Sequence, residues 1–105
     1  MTPKDTPEIN ALLTSLWEQN LPQLRERLEV LDHTATAATA GDLTESLRIE
    51  ALEIAHKLAG SLGMFGYTQG TEISQQLEQL LGKATTTNSG DLAELVTQLR
   101  QTLQL

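Results

Sequence analysis

Aliphatic side chains recur every three or four residues along almost the whole 105-residue chain, which is the period of an amphipathic α-helix. No segment alternates apolar and polar residues as a half-buried strand does. The apolar stripes predict helices at about 7–19, 21–39, 43–63, 67–83 and 89–104. A chain of this length forms one domain, and short connections between helices favour antiparallel neighbours. We therefore predict an all-α, up-down four-helix bundle with an additional N-terminal helical segment.

Several helix boundaries depend on single residues. Pro22 either kinks a helix or opens a new one in its first turn. The N-terminal segment consequently either packs across one end of the bundle or extends the first bundle helix. Asp42 followed by Glu45 resembles a capping box for the helix that follows, and Asn88 or Ser89 can cap the last helix.

Composition removes several classes of function. The chain has no cysteine, which excludes disulfides and thiolate metal sites. Its formal charge of −7 disfavours binding to nucleic acid or to anionic lipid, and three aromatic residues provide no platform for stacking bases. Neither a signal peptide nor an apolar run of about 20 residues is present, so we expect a cytoplasmic protein without a membrane partner. We also expect a monomer.

The helix predicted over 43–63 carries a histidine on the side away from its core stripe. At 100° per residue, His56 lies about 140° from the middle of the apolar arc. The residues that share this outer face are small or aliphatic rather than charged: Ile49, Leu52, Ala59, Gly60 and Gly63. Small residues let another protein approach the imidazole closely, and the aliphatic rim gives that protein apolar surface to bury. This composition predicts a docking surface around His56.

Structural explanations compete with this interpretation. A lone histidine on a helix surface is usually a solvated polar residue, and the same is expected of His33. Gly63 can simply mark the end of the helix. Gly60 is harder to explain in this way, because a glycine inside a helix costs about 0.8–1 kcal/mol relative to alanine. A second function is therefore open: the chain can be a structural or adaptor bundle, in which the histidine is incidental.

The stretch AHKLAGSLGMFG, from Ala55 to Gly66, places particular residues at fixed distances after His56. These residues are Leu58, Gly60, Ser61, Phe65 and Gly66, and the next helix adds the adjacent pair Leu77 and Glu78. The pattern resembles the phosphoacceptor helix of histidine-containing phosphotransfer (HPt) domains. It is most similar to the subgroup with His-Lys-Leu-Ala-Gly-Ser around the phosphoacceptor.

The resemblance implies that His56 accepts and donates a phosphoryl group in a two-component phosphorelay, and that the chain is a carrier rather than an enzyme. Family members commonly have a lysine three residues after the histidine, where this chain has Ala59. Lys57 either takes over the neutralising role of that lysine or is a solvated residue. In chemotaxis-kinase members a glutamate on the next helix accepts a hydrogen bond from the histidine ring, and Glu78 matches its position. The alternative for Glu78 is an exposed helix residue without a role.

The partners implied by the resemblance are response-regulator receiver domains, histidine kinases, or both. No metal or other cofactor is expected on the chain itself, because the Mg²⁺ that assists transfer is expected on the receiver domain. The same module can also be part of a hybrid or chemotaxis-type histidine kinase, or of a multi-domain regulator. A phosphoacceptor module within such a larger protein is the alternative to a free-standing carrier.

Overall fold

A computed structural model describes residues 7–83 and 89–105, with side chains from residue 11 to 83 and from 90 onwards. Four helices make up most of this part of the chain: α1 Pro7–Ala40, α2 Glu45–Ser61, α3 Thr68–Leu81 and α4 Ser89–Leu103. Each helix packs on two neighbours, α1 on α2 and α4, and α3 on the same two. No strand occurs among the described residues, and the prediction of an all-α four-helix bundle is confirmed.

The core is built from the apolar stripes of all four helices. Leucines dominate it, and most of them are entirely shielded from solvent. The buried apolar residues are Leu24, Leu28, Leu31, Ala35, Ala51, Ala55, Leu58, Leu62, Ile73, Leu77, Leu81, Leu92, Val96, Leu99 and Leu103. In the described ranges, no helix is long and apolar enough to cross a membrane.

α1 runs without interruption through Pro22, so the predicted boundary between helices at 7–19 and 21–39 is wrong. The N-terminal segment instead extends the first bundle helix, which was the second of the two arrangements considered. A proline inside a helix lacks one backbone hydrogen bond and costs about 3 kcal/mol. Packing offsets this cost, because Trp17 and Leu21 on one side of the proline contact the same core as Leu24 on the other.

The predicted capping box at Asp42 and Glu45 is also wrong, because Asp42 belongs to the end of α1. Gly41 adopts a left-handed φ of 77°, and the Asp42 amide donates to the Ala37 carbonyl at 2.8 Å. This is a Schellman-type helix end, which glycine favours because it lacks a Cβ. α2 begins two residues later than predicted, with the Thr44 hydroxyl accepting from the Leu47 amide at 3.1 Å. Of the two residues proposed to cap the last helix, Ser89 is the first residue of α4 and Asn88 lies outside the described residues.

The chain leaves α2 through a tight turn that α1 holds in place. α2 tightens into a 3₁₀ helix over Leu62–Phe65, and Gly66 ends that helix with a left-handed φ of 88°. Trp17 of α1 meets Phe65 edge-on, with ring centroids 5.2 Å apart, and stacks on Tyr67 at 4.8 Å. The N-terminal part of α1 therefore packs on the turn that sets the start of α3.

Replacing Pro22 by Ala should raise the free energy of unfolding by about 1–3 kcal/mol. The alanine restores an N–H donor for the Glu18 carbonyl and removes the steric clash of the proline ring. Urea titrations of the wild type and this variant test the expectation, with Gln23→Ala as the exposed neighbouring control. A loss of stability in the proline variant would show that the ring itself is required for the path of α1.

Candidate functional site

His56 lies on the outer face of α2, as the helical period predicts. Its side chain is 74% exposed, whereas Leu58 on the same helix is 1% exposed. The opposite face of α2 supplies the buried Ala51 and Ala55, so the core fixes the rotation of the helix. The imidazole is thus presented to solvent by a rigid element.

Glu78 of α3 holds one edge of the imidazole. Its Oε2 lies 2.6 Å from His56 Nδ1, and its side chain is 33% exposed. A carboxylate only accepts hydrogen bonds, so the contact requires a proton on Nδ1, and the Nδ1–H donates a hydrogen bond to Glu78. In the neutral ring this leaves the lone pair on Nε2, the nitrogen not engaged by Glu78. The contact therefore fixes the orientation of the ring and the tautomer of its neutral form.

The charged residues of α2 near His56 are exposed and of both signs. Lys57 is exposed on the neighbouring position, about 100° around the helix axis from His56. Glu53 is exposed one turn before the histidine.

The predicted docking surface is partly open. Ile49 is 43% exposed two turns before His56, and Ala59 is half-buried. Gly60 is exposed, and a Cβ built at that position meets nothing within 4 Å. Leu52 is half-buried and packs against the core, so only part of its side chain belongs to this face. An open glycine near an exposed histidine leaves room for another molecule to approach the imidazole.

Gly63 does not belong to the open face. A Cβ at this position would lie 3.3 Å from the Thr71 hydroxyl oxygen, so the glycine allows the turn to approach α3. The prediction extended a period of 100° per residue to position 63, but α2 ends at Ser61. The 3₁₀ helix that follows leads into α3 within a few residues, and Thr71 lies in the first turn of α3.

The remaining motif residues build the frame of the site rather than its surface. Leu58 is buried in the core, and Phe65 and Gly66 form the turn after α2. Ser61 lies about 140° around the helix from His56 and lines a cleft of ≈ 260 Å³ between α1 and α2. His33 is exposed on α1, as expected. In the described ranges, no three His, Asp or Glu side chains form a group that could hold a metal ion.

Sequence reasoning missed Arg48, whose side chain is only 11% exposed. Its Nη1 donates to the carbonyl of Leu81, the last residue of α3, at 2.5 Å. The sequence signal for Arg48 is its position at the edge of the apolar stripe of α2. An arginine at such a position can bury the aliphatic part of its side chain while its guanidinium extends beyond the core. Its partner is a backbone carbonyl 33 residues away, which no local pattern reveals.

Comparisons with known proteins agree with this arrangement. Residues 12–105 match the family model of the Hpt domain. A curated relative, Protein RcaC of Microchaete diplosiphon, is 36% identical over 72 residues, which cover 69% of this chain and 11% of that protein. The chain thus corresponds to about a tenth of the length of this relative. No solved structure matches significantly. The match over nearly the whole chain shows that this protein belongs to the family of Hpt domains, the phosphoryl carriers of two-component signalling.

Proposed function

We propose that His56 is the phosphoacceptor of this carrier and that Nε2 is the nitrogen that forms the bond to phosphorus. The observation that carries the proposal is the exposed imidazole with its Nδ1 held by Glu78 at 2.6 Å. A phosphoryl acceptor needs a neutral nitrogen lone pair that faces the donor in line, and this arrangement supplies one. The chain acts as substrate and carrier, without kinase activity of its own.

The transfer has a simple balance of bonds. Nε2 of His56 attacks the phosphorus of an aspartyl phosphate, the N–P bond forms, and the bond from phosphorus to the aspartate oxygen breaks. The electron pair of that bond stays on the aspartate carboxylate, while Glu78 stabilises the positive charge that develops on the imidazole through the Nδ1–H. Because transfer is mostly positioning and charge stabilisation, the same steps run in reverse when the carrier donates its phosphoryl group.

We propose receiver domains of response regulators, histidine kinases, or both as the partners. They would dock over Ile49, Ala59 and Gly60, with the exposed part of Leu52, and a receiver domain would bring its phosphorylated aspartate to Nε2. The Mg²⁺ that neutralises the phosphoryl oxygens is assigned to the receiver, and Lys57 is the residue of this chain that could add positive charge. The carrier is proposed to act as a cytoplasmic monomer.

The second candidate is the same phosphoacceptor role inside a larger signalling protein. The observation that favours it is that the match to Protein RcaC covers only 11% of that relative. The chemistry at His56 is the same in both cases, so the tests below apply to either.

Incubation with a receiver domain carrying an aspartyl phosphate should place acid-labile phosphate on the wild type and none on His56→Gln. The variant should keep its free energy of unfolding within about 0.5 kcal/mol, because exposed substitutions rarely change stability more. His33→Gln, which changes the other exposed histidine, is the matched control and should accept phosphate normally. Phosphate that persists on the His56 variant would contradict the assignment, and failure of the wild type to accept any would favour a purely structural bundle.

Replacing Glu78 by Ala should slow phosphotransfer without abolishing it, because the nucleophile stays while its orientation and tautomer are lost. The ¹⁵N chemical shifts of the imidazole should show mainly the Nδ1–H tautomer in the wild type and more of the Nε2–H tautomer in the variant. Gln79→Ala removes an exposed side chain from the adjacent position and serves as the control. An unchanged rate together with an unchanged tautomer ratio would remove Glu78 from the mechanism.

Substitutions of Gly60 distinguish an effect on docking from an effect on helix stability. Substitution by Ala should raise the free energy of unfolding by up to about 1 kcal/mol, since its Cβ meets no neighbour. Gln and Arg at this position should also fold, but phosphotransfer should fall more steeply as the side chain grows. Gln101→Arg on α4, which packs on α1 and α3 rather than on α2, controls for the added bulk and charge. Normal transfer by Gly60→Arg would show that partners dock elsewhere.

A further inference from the structure

Arg48 is the residue of α2 that reaches the end of α3. Its guanidinium forms two bonds with the Glu45 carboxylate, one of them from Nε to Oε2 at 3.0 Å, and its Nη1 donates to the Leu81 carbonyl. The hydrogen bond from Arg48 lowers the pKa of Glu45, and the same bond raises the pKa of Arg48. The pair is therefore ionised at neutral pH, and the guanidinium is held in a fixed orientation at the end of α3.

Glu78 lies in the last turn of α3, where a helix is least stable. The carbonyls of the final turn have no partner within the helix, and that end of the helix carries a partial negative charge. The last turn of α3 contains no basic residue of its own. Three donors meet its carbonyls: the Gly82 amide donates to the Glu78 carbonyl at 2.9 Å, the Lys83 amide to the Leu80 carbonyl at 3.4 Å, and Arg48 to the Leu81 carbonyl.

We propose that Arg48 is a positioning residue for phosphotransfer: it holds the last turn of α3 on α2 and thereby keeps the Glu78 carboxylate on Nδ1 of His56. Both ends of this link lie on the same pair of helices, since Arg48 and His56 are on α2 and Leu81 and Glu78 are on α3. A donor at the Leu81 carbonyl prevents fraying of the turn, and it also fixes the position of α3 along α2. The inference rests on the proposed role of His56 and Glu78.

Arg48→Met tests the proposal, because it keeps an apolar stem of similar length and removes all donors. The expected results are a shift of the His56 ¹⁵N signals from the Nδ1–H towards the Nε2–H tautomer and slower transfer from a phosphorylated receiver. The slowing is expected to be on the order of tenfold, as for loss of a positioning contact, and smaller than that of Glu78→Ala. Faster hydrogen exchange of the Gly82 amide should accompany it.

Arg100→Met is the matched control for lost stability. Arg100 also joins two helices and a terminal carbonyl, through Nε to Asp32 Oδ2 at 2.8 Å and Nη1 to the Leu105 carbonyl at 2.9 Å. It connects α4 to α1, away from the pair that carries His56 and Glu78. Its loss should destabilise the bundle while leaving the His56 tautomer and the transfer rate unchanged.

Two further variants can contradict the proposal. Arg48→Lys retains one donor for the Leu81 carbonyl and should preserve the wild-type tautomer; a shift as large as that of Arg48→Met would contradict the role of this hydrogen bond. If Arg48 acts only through Glu78, the double variant Arg48→Met/Glu78→Ala should transfer no more slowly than Glu78→Ala alone. Additive slowing, or a wild-type tautomer in Arg48→Met, would overturn the inference. A wild type that never accepts phosphate would instead overturn the proposed function.

Discussion

The packing of α2 on α3 is the contact on which the site depends. α2 contributes the buried Ala51, Ala55 and Leu58 to the core, and α3 contributes Ile73 and Leu77. Small side chains such as alanine allow two helices to approach closely, and a close approach is what lets short polar side chains meet at the edge of an interface. His56 and Glu78 meet at such an edge. The apolar core therefore sets the distance between two polar groups that lie at its edge.

The site combines a rigid frame with an open surface. His56 is anchored by the rotation of α2, by the bond to Glu78, and through α3 by the turn that Trp17 packs against. The imidazole is exposed to solvent, and Gly60 one turn further along α2 contributes no side chain to this face. A carrier must present the same nitrogen to a donor and to an acceptor. An imidazole that Glu78 holds at Nδ1 and that is otherwise exposed meets both requirements. In the proposed transfer, this protein contributes the orientation of the histidine, and its partners contribute the remaining groups.

Packing in the bundle also compensates for a local defect in the hydrogen bonds of α1. Pro22 interrupts the hydrogen bonds of α1, yet the helix continues because Trp17 and Leu21 beyond it still find apolar partners. Without this continuation, the aromatic contacts with Phe65 and Tyr67 would be lost. The same compensation explains why propensity rules applied to the sequence divided α1 in two: they count the cost at the proline but not the packing on either side of it.

The sequence by itself determined the all-helical class, the buried stripes and the outward position of His56, because these follow from a period of 100° per residue that is local to each helix. Tertiary structure decided the rest. The family resemblance suggested Glu78 as a partner of His56, but only the packing of the helices brings its carboxylate to Nδ1. The packing alone shows that Arg48 bonds a carbonyl 33 residues away and that Gly63 lies against α3. Each of these depends on where one helix lies along another or on where a helix ends. Those positions are set by the sum of many contacts across the core, and no single stretch of sequence contains that sum.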